Sequence, residues 1–330
     1  MTTRTLNGTP VHPIGLGCMN LSHAYGTPPS EAEAAALLEQ ALDLGYTHFD
    51  TATLYGFGAN ETLLGKVLRP HRSRIFLASK CGMAGVDGKR VIDGRPETLM
   101  RQADESLQRL QTDCIDLYYL HRVNRDVPVE AVAEVMGKLI REGLIRGWGM
   151  SQVGADTLAK AHAVTPVSAV QNLYNMLERD CEKEVFPFCR KNSIGVVPFS
   201  PVASGFLSGK ITMQTDFSHA DDVRKFVPQL RKENMEANQP VLDLLGQYAS
   251  NKGATNAQIA LAWMLHKYPN VVPIPGSKNQ ERILENLDAW NVELTDNEFT
   301  VLESALNAIP VHGHRGQVEY DGMSMKDWYR

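Results

Sequence analysis

The chain has 330 residues, 43% of them hydrophobic and 22% charged, enough to bury a sizeable core; a disordered chain and a small disulfide scaffold are both excluded. A formal net charge of -5 at pH 7 gives no basic stripe for a phosphate backbone, so nucleic acid is not an expected partner. Five cysteines without a C-x-x-C pair argue against a disulfide framework or a zinc ribbon and fit a reducing, cytoplasmic setting.

The start, Met1 to Pro10, is polar, and no run of about 18 apolar residues occurs, so neither a signal peptide nor a membrane contact is expected. Asn7-Gly8, between Arg4-Thr5-Leu6 and Val11, predicts a hairpin within residues 1–13, because this dipeptide accepts the positive φ of a tight turn. Short apolar runs then begin at Ile14, Tyr46, Ile75, Ile115, Ile145, Val167, Ile194 and Val271. Most of these starts lie roughly 30 residues apart, the length of a strand, a helix and two connections. Only the last gap, 77 residues from Ile194 to Val271, stands out.

Helical periods fill the intervals. Ser30 with Glu33 predicts a capping box ahead of Leu37, Leu38, Ala41 and Leu42, and Gly45 ends that helix. Leu99, Ala103, Leu107 and Leu110 mark another apolar face. Pro128 starts a third helix, with Val132, Val135, Met136, Leu139 and Ile140 on one side and Gly143 beyond its end.

Eight strand–helix alternations without a break predict a single α/β domain over residues 1–330, a (β/α)8 TIM barrel with an N-terminal β-hairpin. A large loop after the seventh strand, residues 205–238, emerges on the face where barrels build active sites, and reads as a binding lid. Residues 307–330 form a C-terminal tail, of which Val311 to Trp328 is expected to close over the pocket.

Strand ends converge on one mouth of such a barrel. Asp50 closes the second strand, Tyr55 follows in the next loop, Lys80 closes the third strand and His121 the fourth. Singly, these residues could be a helix cap, a packed ring, a solvated charge and a core histidine. Together they form a chemical unit. A buried ammonium needs a carboxylate, a cation beside a phenol lowers its pKa from about 10 toward neutrality, and a neutral imidazole can orient a carbonyl oxygen. Such a set suits protonation of an aldehyde or ketone oxygen during reduction.

At these residues the sequence resembles the aldo-keto reductase family. Phe49-Asp50-Thr51-Ala52, Tyr55-Gly56, Asn60-Glu61 and Leu64-Gly65 carry the resemblance, which runs from Gly15-Leu16-Gly17 to Asn286. It implies Tyr55 as proton donor, Lys80 as the group lowering its pKa, Asp50 as partner of Lys80, and His121 as the group positioning the carbonyl.

No strand is followed by G-x-G-x-x-G, so a Rossmann site is disfavoured. The resemblance implies instead a nicotinamide dinucleotide lying across the barrel mouth. Gly17, Met19 and Asp50 are expected beside it. Ser151, Gln152 and Gln171 match positions that bond the nicotinamide amide, although Gln152 stands where Asn is commoner. Phe199 matches the ring stacked on nicotinamide. Ser200, Val202, Gly205, Leu207 and Lys210 resemble the loop crossing the pyrophosphate. Pro275, Gly276, Ser277, Lys278 and Arg282 resemble the adenosine 2′-phosphate site, and Glu285 and Asn286 match contacts to adenine. Gly276 stands where many members carry a phosphate-binding lysine. Two cations at a helix start argue for NADPH over NADH.

Met19, Tyr25, Phe57 and His121 are expected to line an apolar, adaptable pocket for a small carbonyl substrate. The expected activity is NADPH-dependent reduction of an aldehyde or ketone to the alcohol, with self-association left open. Two alternatives are a cofactor-binding regulatory or redox-sensing subunit, and a lyase using Lys80 as a Schiff-base nucleophile.

Overall fold

In the computed structural model, which describes residues 3–86, 89–316, 319–320 and 323–324, the chain opens with the expected hairpin. β1 (Arg4–Leu6) pairs antiparallel with β2 (Thr9–Val11) around Asn7 and Gly8, whose φ values are 48° and 72°. Leu6 and Val11 are buried and join Phe76, Ala78, Leu117, Tyr119 and Val272 in one apolar cluster. The hairpin therefore plugs one end of the barrel.

Seven barrel strands follow, with one two-stranded excursion among them: β3 (Leu16–Gly17), β4 (His48–Asp50), β5 (Phe76–Cys81), the excursion β6 (Met83–Val86) and β7 (Lys89–Ile92), then β8 (Leu117–Leu120), β9 (Trp148–Ser151), β10 (Ala169–Gln171) and β11 (Gly195–Val196). The barrel strands pair in parallel in the order β3-β4-β5-β8-β9-β10-β11.

The eighth position is held by residues 271–275 without a regular ladder. Val272 N–H donates to Val196 O at 2.8 Å and Ile274 N–H to Pro198 O at 3.1 Å, while Gly15 and Gly17 donate to the carbonyls of Pro273 and Pro275. On the β3 side the bonds run one way only, because Pro273 and Pro275 have no N–H to return. All eight sequence-derived starts thus fall on the barrel wall.

The helices are α1 (Glu31–Leu44), α2 (Ala59–Leu68), α3 (Pro96–Leu110), α4 (Val129–Arg141), α5 (Ala155–Val164), α6 (Val185–Lys191), α7 (Lys232–Ala237), α8 (Gln239–Lys252), α9 (Asn256–Lys267), α10 (Gln280–Asp288) and α11 (Asp296–Ala308). The Ser30–Glu33 capping box forms, and Gly45 ends α1 at φ 100°, a conformation only glycine adopts without strain. α4 buries Val132, Val135, Met136 and Leu139 as its period requires. No helix among the described residues is long and apolar enough to cross a membrane.

Two features differ from the sequence reading. The interval between Ile75 and Ile115 holds the β6–β7 hairpin, so the 77-residue gap is not the only irregular one. The long loop is not featureless either: it forms 3-10 turns at Ala203–Ser208, Val223–Phe226 and Pro228–Leu230 before α7. It leans on the loop after β3, where Val223 N–H donates to Ala24 O at 2.9 Å. The start of the tail is pinned to it by a two-way bond between Asn238 and the backbone of His312, and by Gln229 N–H donating to His314 O. Expectations for residues 317–318, 321–322 and 325–330, Trp328 included, lie outside the described residues.

Candidate active site

Asp50 and Lys80 end adjacent strands and both face inward, and neither is more than 1% exposed. Lys80 Nζ donates to Asp50 Oδ1, to Thr51 O at 2.8 Å and to the Tyr55 hydroxyl at 3.3 Å. Gln171 Nε2 donates to the other Asp50 oxygen at 2.8 Å. A buried ammonium is tolerable only with such partners. Burial alone would pull Lys80 down, but Asp50 and Tyr55 outweigh it and hold the lysine above its ordinary value. A charged, paired lysine is a poor Schiff-base nucleophile, which removes the lyase alternative.

Tyr55 sits in a turn the sequence must strain to make. Gly56, Phe57 and Gly58 all have positive φ, at 55°, 52° and 95°. A Cβ on Gly56 would lie 3.0 Å from Ser22 Cβ, and one on Gly58 3.0 Å from Arg109 Cδ. Buried polar groups pin this turn. Asn60 accepts from Thr51 and donates to Cys18 O and Ser22, while Glu61 accepts from Ser79 and from Arg109. Asn60 and Glu61, present in the motif without a stated role, thereby fix the loop carrying the phenol. Gly65 is required because a Cβ there would collide with the Arg109 carbonyl oxygen.

His121 stands edge-on to Tyr55, ring centroids 5.8 Å apart, and His23 flanks the other side at 5.5 Å. Burial first, then Arg122, Lys80 and Arg90, push His121 well below the ordinary histidine range, so its imidazole is neutral. For Tyr55 the expected fall toward neutrality does not occur. Burial pushes its pKa up, and Lys80 only opposes that rise. The phenol keeps its proton, which is the form a general acid needs. Cys18 and Cys81 are buried and their thiols are pushed up by burial, which counts against redox sensing at either.

These groups open onto a cavity of about 460 Å³. Of the expected cofactor residues, Gly17, Met19, Asp50, Ser151, Gln171, Phe199, Ser200, Val202, Gly205, Lys210, Pro275, Gly276, Ser277, Lys278, Arg282, Glu285 and Asn286 line it. Two do not. Leu207 is wholly buried in the core. Gln152, at φ 54°, turns its side chain into the wall, where Oε1 accepts from Leu173 N–H at 2.6 Å.

The lining has the chemistry of a dinucleotide site, with amide and hydroxyl groups and Phe199 near Tyr55, and Lys210, Lys278 and Arg282 toward α10. Two of these cations are engaged: Lys210 pairs with Glu285 at 2.7 Å, and Lys278 donates to the carbonyls of Tyr25 and Thr27.

Of the substrate-pocket expectations, the one for Phe57 needs correction. Phe57 is 61% exposed and absent from the cavity lining; its ring covers Gly85 so closely that a Cβ there would overlap it. Tyr25 lines the cavity, with its hydroxyl donating to Ser204 and its ring under the Arg224 guanidinium. The lining is more apolar than polar by a small margin only, since Arg90, Arg122, Arg315 and His23 join Met19, Leu54, Met83 and His121. Sequence reasoning had Arg315 within the tail expected over the pocket but missed Arg90 and Arg122. Arg122 directly follows His121, so strand-end position could have flagged it; Arg90 arrives on the unforeseen hairpin.

A closed parallel barrel with a tyrosine, a paired lysine and a neutral histidine at its mouth, beside a long polar cavity, defines an α/β-barrel enzyme class. A sequence profile described as "Aldo/keto reductase family" matches residues 13–307, and the chain belongs to that family of oxidoreductases. It is 36% identical to "Probable aldo-keto reductase 1" of Glycine max, over 97% of this chain and 92% of the other. A glycerol dehydrogenase from Gluconobacter oxydans superposes with a TM-score of 0.86 at 27% identity, covering 93% of this chain and 95% of that one. An aldo/keto reductase from Klebsiella pneumoniae, solved in complex with NADP and acetate, gives 0.71 at 28% identity, covering 95% and 98%.

Proposed function

We propose that the protein reduces an aldehyde or ketone to the alcohol with NADPH, with Tyr55 as the proton donor. When bound, the cofactor supplies the hydride that the carbonyl carbon accepts. The observation that carries the reading is the buried cluster in which Lys80 bonds Asp50, Thr51 O and the Tyr55 hydroxyl.

Each residue then has a defined task. Tyr55 holds its proton until the carbonyl oxygen gains negative charge, then releases it to that oxygen. Lys80 stabilises the phenolate left behind, and Asp50 keeps the lysine charged in a site that would otherwise neutralise it. His121, neutral, donates a hydrogen bond to the carbonyl oxygen and sets its direction. Ser151, Gln171 and Phe199 would hold the nicotinamide; Lys210, Lys278 and Arg282 would hold the phosphates. Both engaged lysines would have to exchange their present partners for phosphate oxygens, a favourable trade where two negative charges meet two cations. The Klebsiella relative's complex with NADP supports this choice of cofactor.

The direct test mixes the protein with NADPH, and separately with NADH, and screens aldehydes and ketones for loss of nicotinamide absorbance. Carbonyl-dependent oxidation of NADPH is expected; binding of NADPH without turnover of any carbonyl would reject the assignment.

A further inference from the structure

A lysine ammonium has three hydrogens to donate, and at Lys80 the Asp50 carboxylate, the Thr51 carbonyl and the Tyr55 hydroxyl take them all. Two aromatic rings meet it as well. Nζ lies 5.0 Å from the centre of the Tyr55 ring and 6.0 Å from that of Tyr119. Tyr55 is there to deliver a proton; Tyr119 has no task in the reaction as described. Its position is nevertheless specified by the sheet. Tyr119 on β8 is the register partner of Lys80 on β5, so both side chains leave the parallel pair on the same face, into the barrel.

The ring is also fixed from its other side. Tyr119 is 0% exposed and packs in one apolar cluster with Phe76, Ala78, Leu117 and Ala169. Its register partner on β9 is Gly149, where a Cβ would come within 2.5 Å of Tyr119 Cδ1 and Cε1, so glycine leaves free the space that the ring fills. The hydroxyl does not explain a tyrosine here: it lies near Gln171 and completes no hydrogen bond. Burial first, then Asp50, pushes its pKa well above the ordinary tyrosine value, so Tyr119 stays neutral and keeps its proton. What it offers the lysine is the ring.

We propose that Tyr119 is a positioning residue for Lys80: its ring binds the buried ammonium beside the three oxygen partners and holds that charge in place for the phenolate that Tyr55 becomes. The inference rests on the reductase reading above and adds a residue to it. The face of an aromatic ring is negative and attracts a cation, most strongly where water is excluded. It does so without claiming a hydrogen. That difference matters at Tyr55, whose bond to Lys80 is 3.3 Å long against 2.8 Å for the bond to Thr51 O. An additional oxygen in place of the ring would compete for the N–H that the phenol oxygen needs as its proton leaves; the ring steadies the charge and leaves that N–H to Tyr55.

The test varies the ring at position 119 and reads steady-state reduction of 4-nitrobenzaldehyde by NADPH, beside a fluorescence titration of each protein with NADPH. Tyr119→Leu is expected to lower kcat by about tenfold or more, and Tyr119→Phe, which keeps the ring and drops the idle hydroxyl, to recover most of it. Leucine also changes the packing, so the deciding series starts from phenylalanine and replaces it by 4-fluoro-, 3,5-difluoro- and 3,4,5-trifluorophenylalanine. These rings keep nearly the same shape while each fluorine withdraws charge from the face. Relative to Tyr119→Phe, kcat is expected to fall with every fluorine, by about fivefold or more at the trifluoro ring, while the NADPH dissociation constant stays within about twofold. A ring that only fills space would give a flat series. A flat series, or loss of turnover already at Tyr119→Phe, would overturn this inference and leave the reductase reading intact. A wild-type protein that reduces neither 4-nitrobenzaldehyde nor any other carbonyl would overturn both.

Discussion

Replacing Asp50 by asparagine probes the electrostatic centre most severely. The carboxylate is 1% exposed and Lys80 is fully buried, so the pair has no solvent to fall back on. The substituted amide would offer one carbonyl oxygen to Lys80, but its NH2 would then face Gln171 Nε2, another donor, where the carboxylate now accepts at 2.8 Å. The variant therefore loses a counter-charge and gains a donor–donor clash. Breaking a buried pair from one side costs about 3–5 kcal/mol, because the remaining charge stays desolvated. Lys80→Met strands the carboxylate instead, with a cost in the same range.

The double variant Asp50→Asn/Lys80→Met strands no charge, so it should unfold at least about 2 kcal/mol less readily than the sum of the single costs implies. Urea unfolding of the four proteins reads this coupling directly. A pH signature accompanies it. Burial already holds the Asp50 carboxyl above its ordinary value, with Lys80 and Gln171 opposing. Without Lys80 it rises further, the folded state binds the extra proton, and Lys80→Met should lose stability as pH rises. Additive single costs, or single variants within about 1 kcal/mol of wild type, would refute the view of Asp50 and Lys80 as one buried unit.

Further predictions concern acid stability and cofactor choice. His48 is fully buried on β4, both ring nitrogens lack hydrogen-bond partners, and burial with Lys80 pushes its pKa down to about 3. The unfolded chain takes a proton near pH 6.5 that the folded chain refuses, so stability should fall as pH drops from about 6.5 toward 3, at up to about 1.4 kcal/mol per pH unit. Unfolding midpoints measured across that range should flatten in His48→Leu; an unchanged slope would assign the acid sensitivity elsewhere. At the other end of the cavity, Lys278→Ala with Arg282→Ala should raise the KM for NADPH by about tenfold or more and leave that for NADH within about twofold. Equal loss with both cofactors would show that these cations do not read the 2′-phosphate.

Much of this architecture was legible because each level of the sequence agreed with the others. Ser30, Glu33 and Gly45 bound α1 as read, and the apolar period of α4 put Val132, Met136 and Leu139 in the core. Asp50, Lys80 and His121 were readable because a strand end in a parallel barrel has a fixed destination. What stayed hidden depended on contacts that no local pattern encodes. The β6–β7 hairpin is four residues a side, contains Gly85 and shows no alternation, so nothing marked it or the Arg90 it carries. Phe57 looked like a pocket residue from its place beside Tyr55, but the positive φ of the intervening turn sends its ring outward onto Gly85. Gln152 has the right chemistry for the nicotinamide amide, and its own positive φ directs it to Leu173 instead. The direction of the Tyr55 shift was misjudged because a sequence names the neighbouring lysine and not the depth of burial, and here burial is the larger influence.

The most direct measurement of the central claim is steady-state turnover of Tyr55→Phe beside a fluorescence titration of the same protein with NADPH. The phenol hydroxyl contacts Lys80 and faces His121, while the residues expected to hold the phosphates lie toward α10. The account predicts kcat lower by at least about a hundredfold, with the NADPH dissociation constant within about twofold of wild type. Near-normal kcat in the phenylalanine variant would contradict it, because the proton delivered to the carbonyl oxygen would then come from another group.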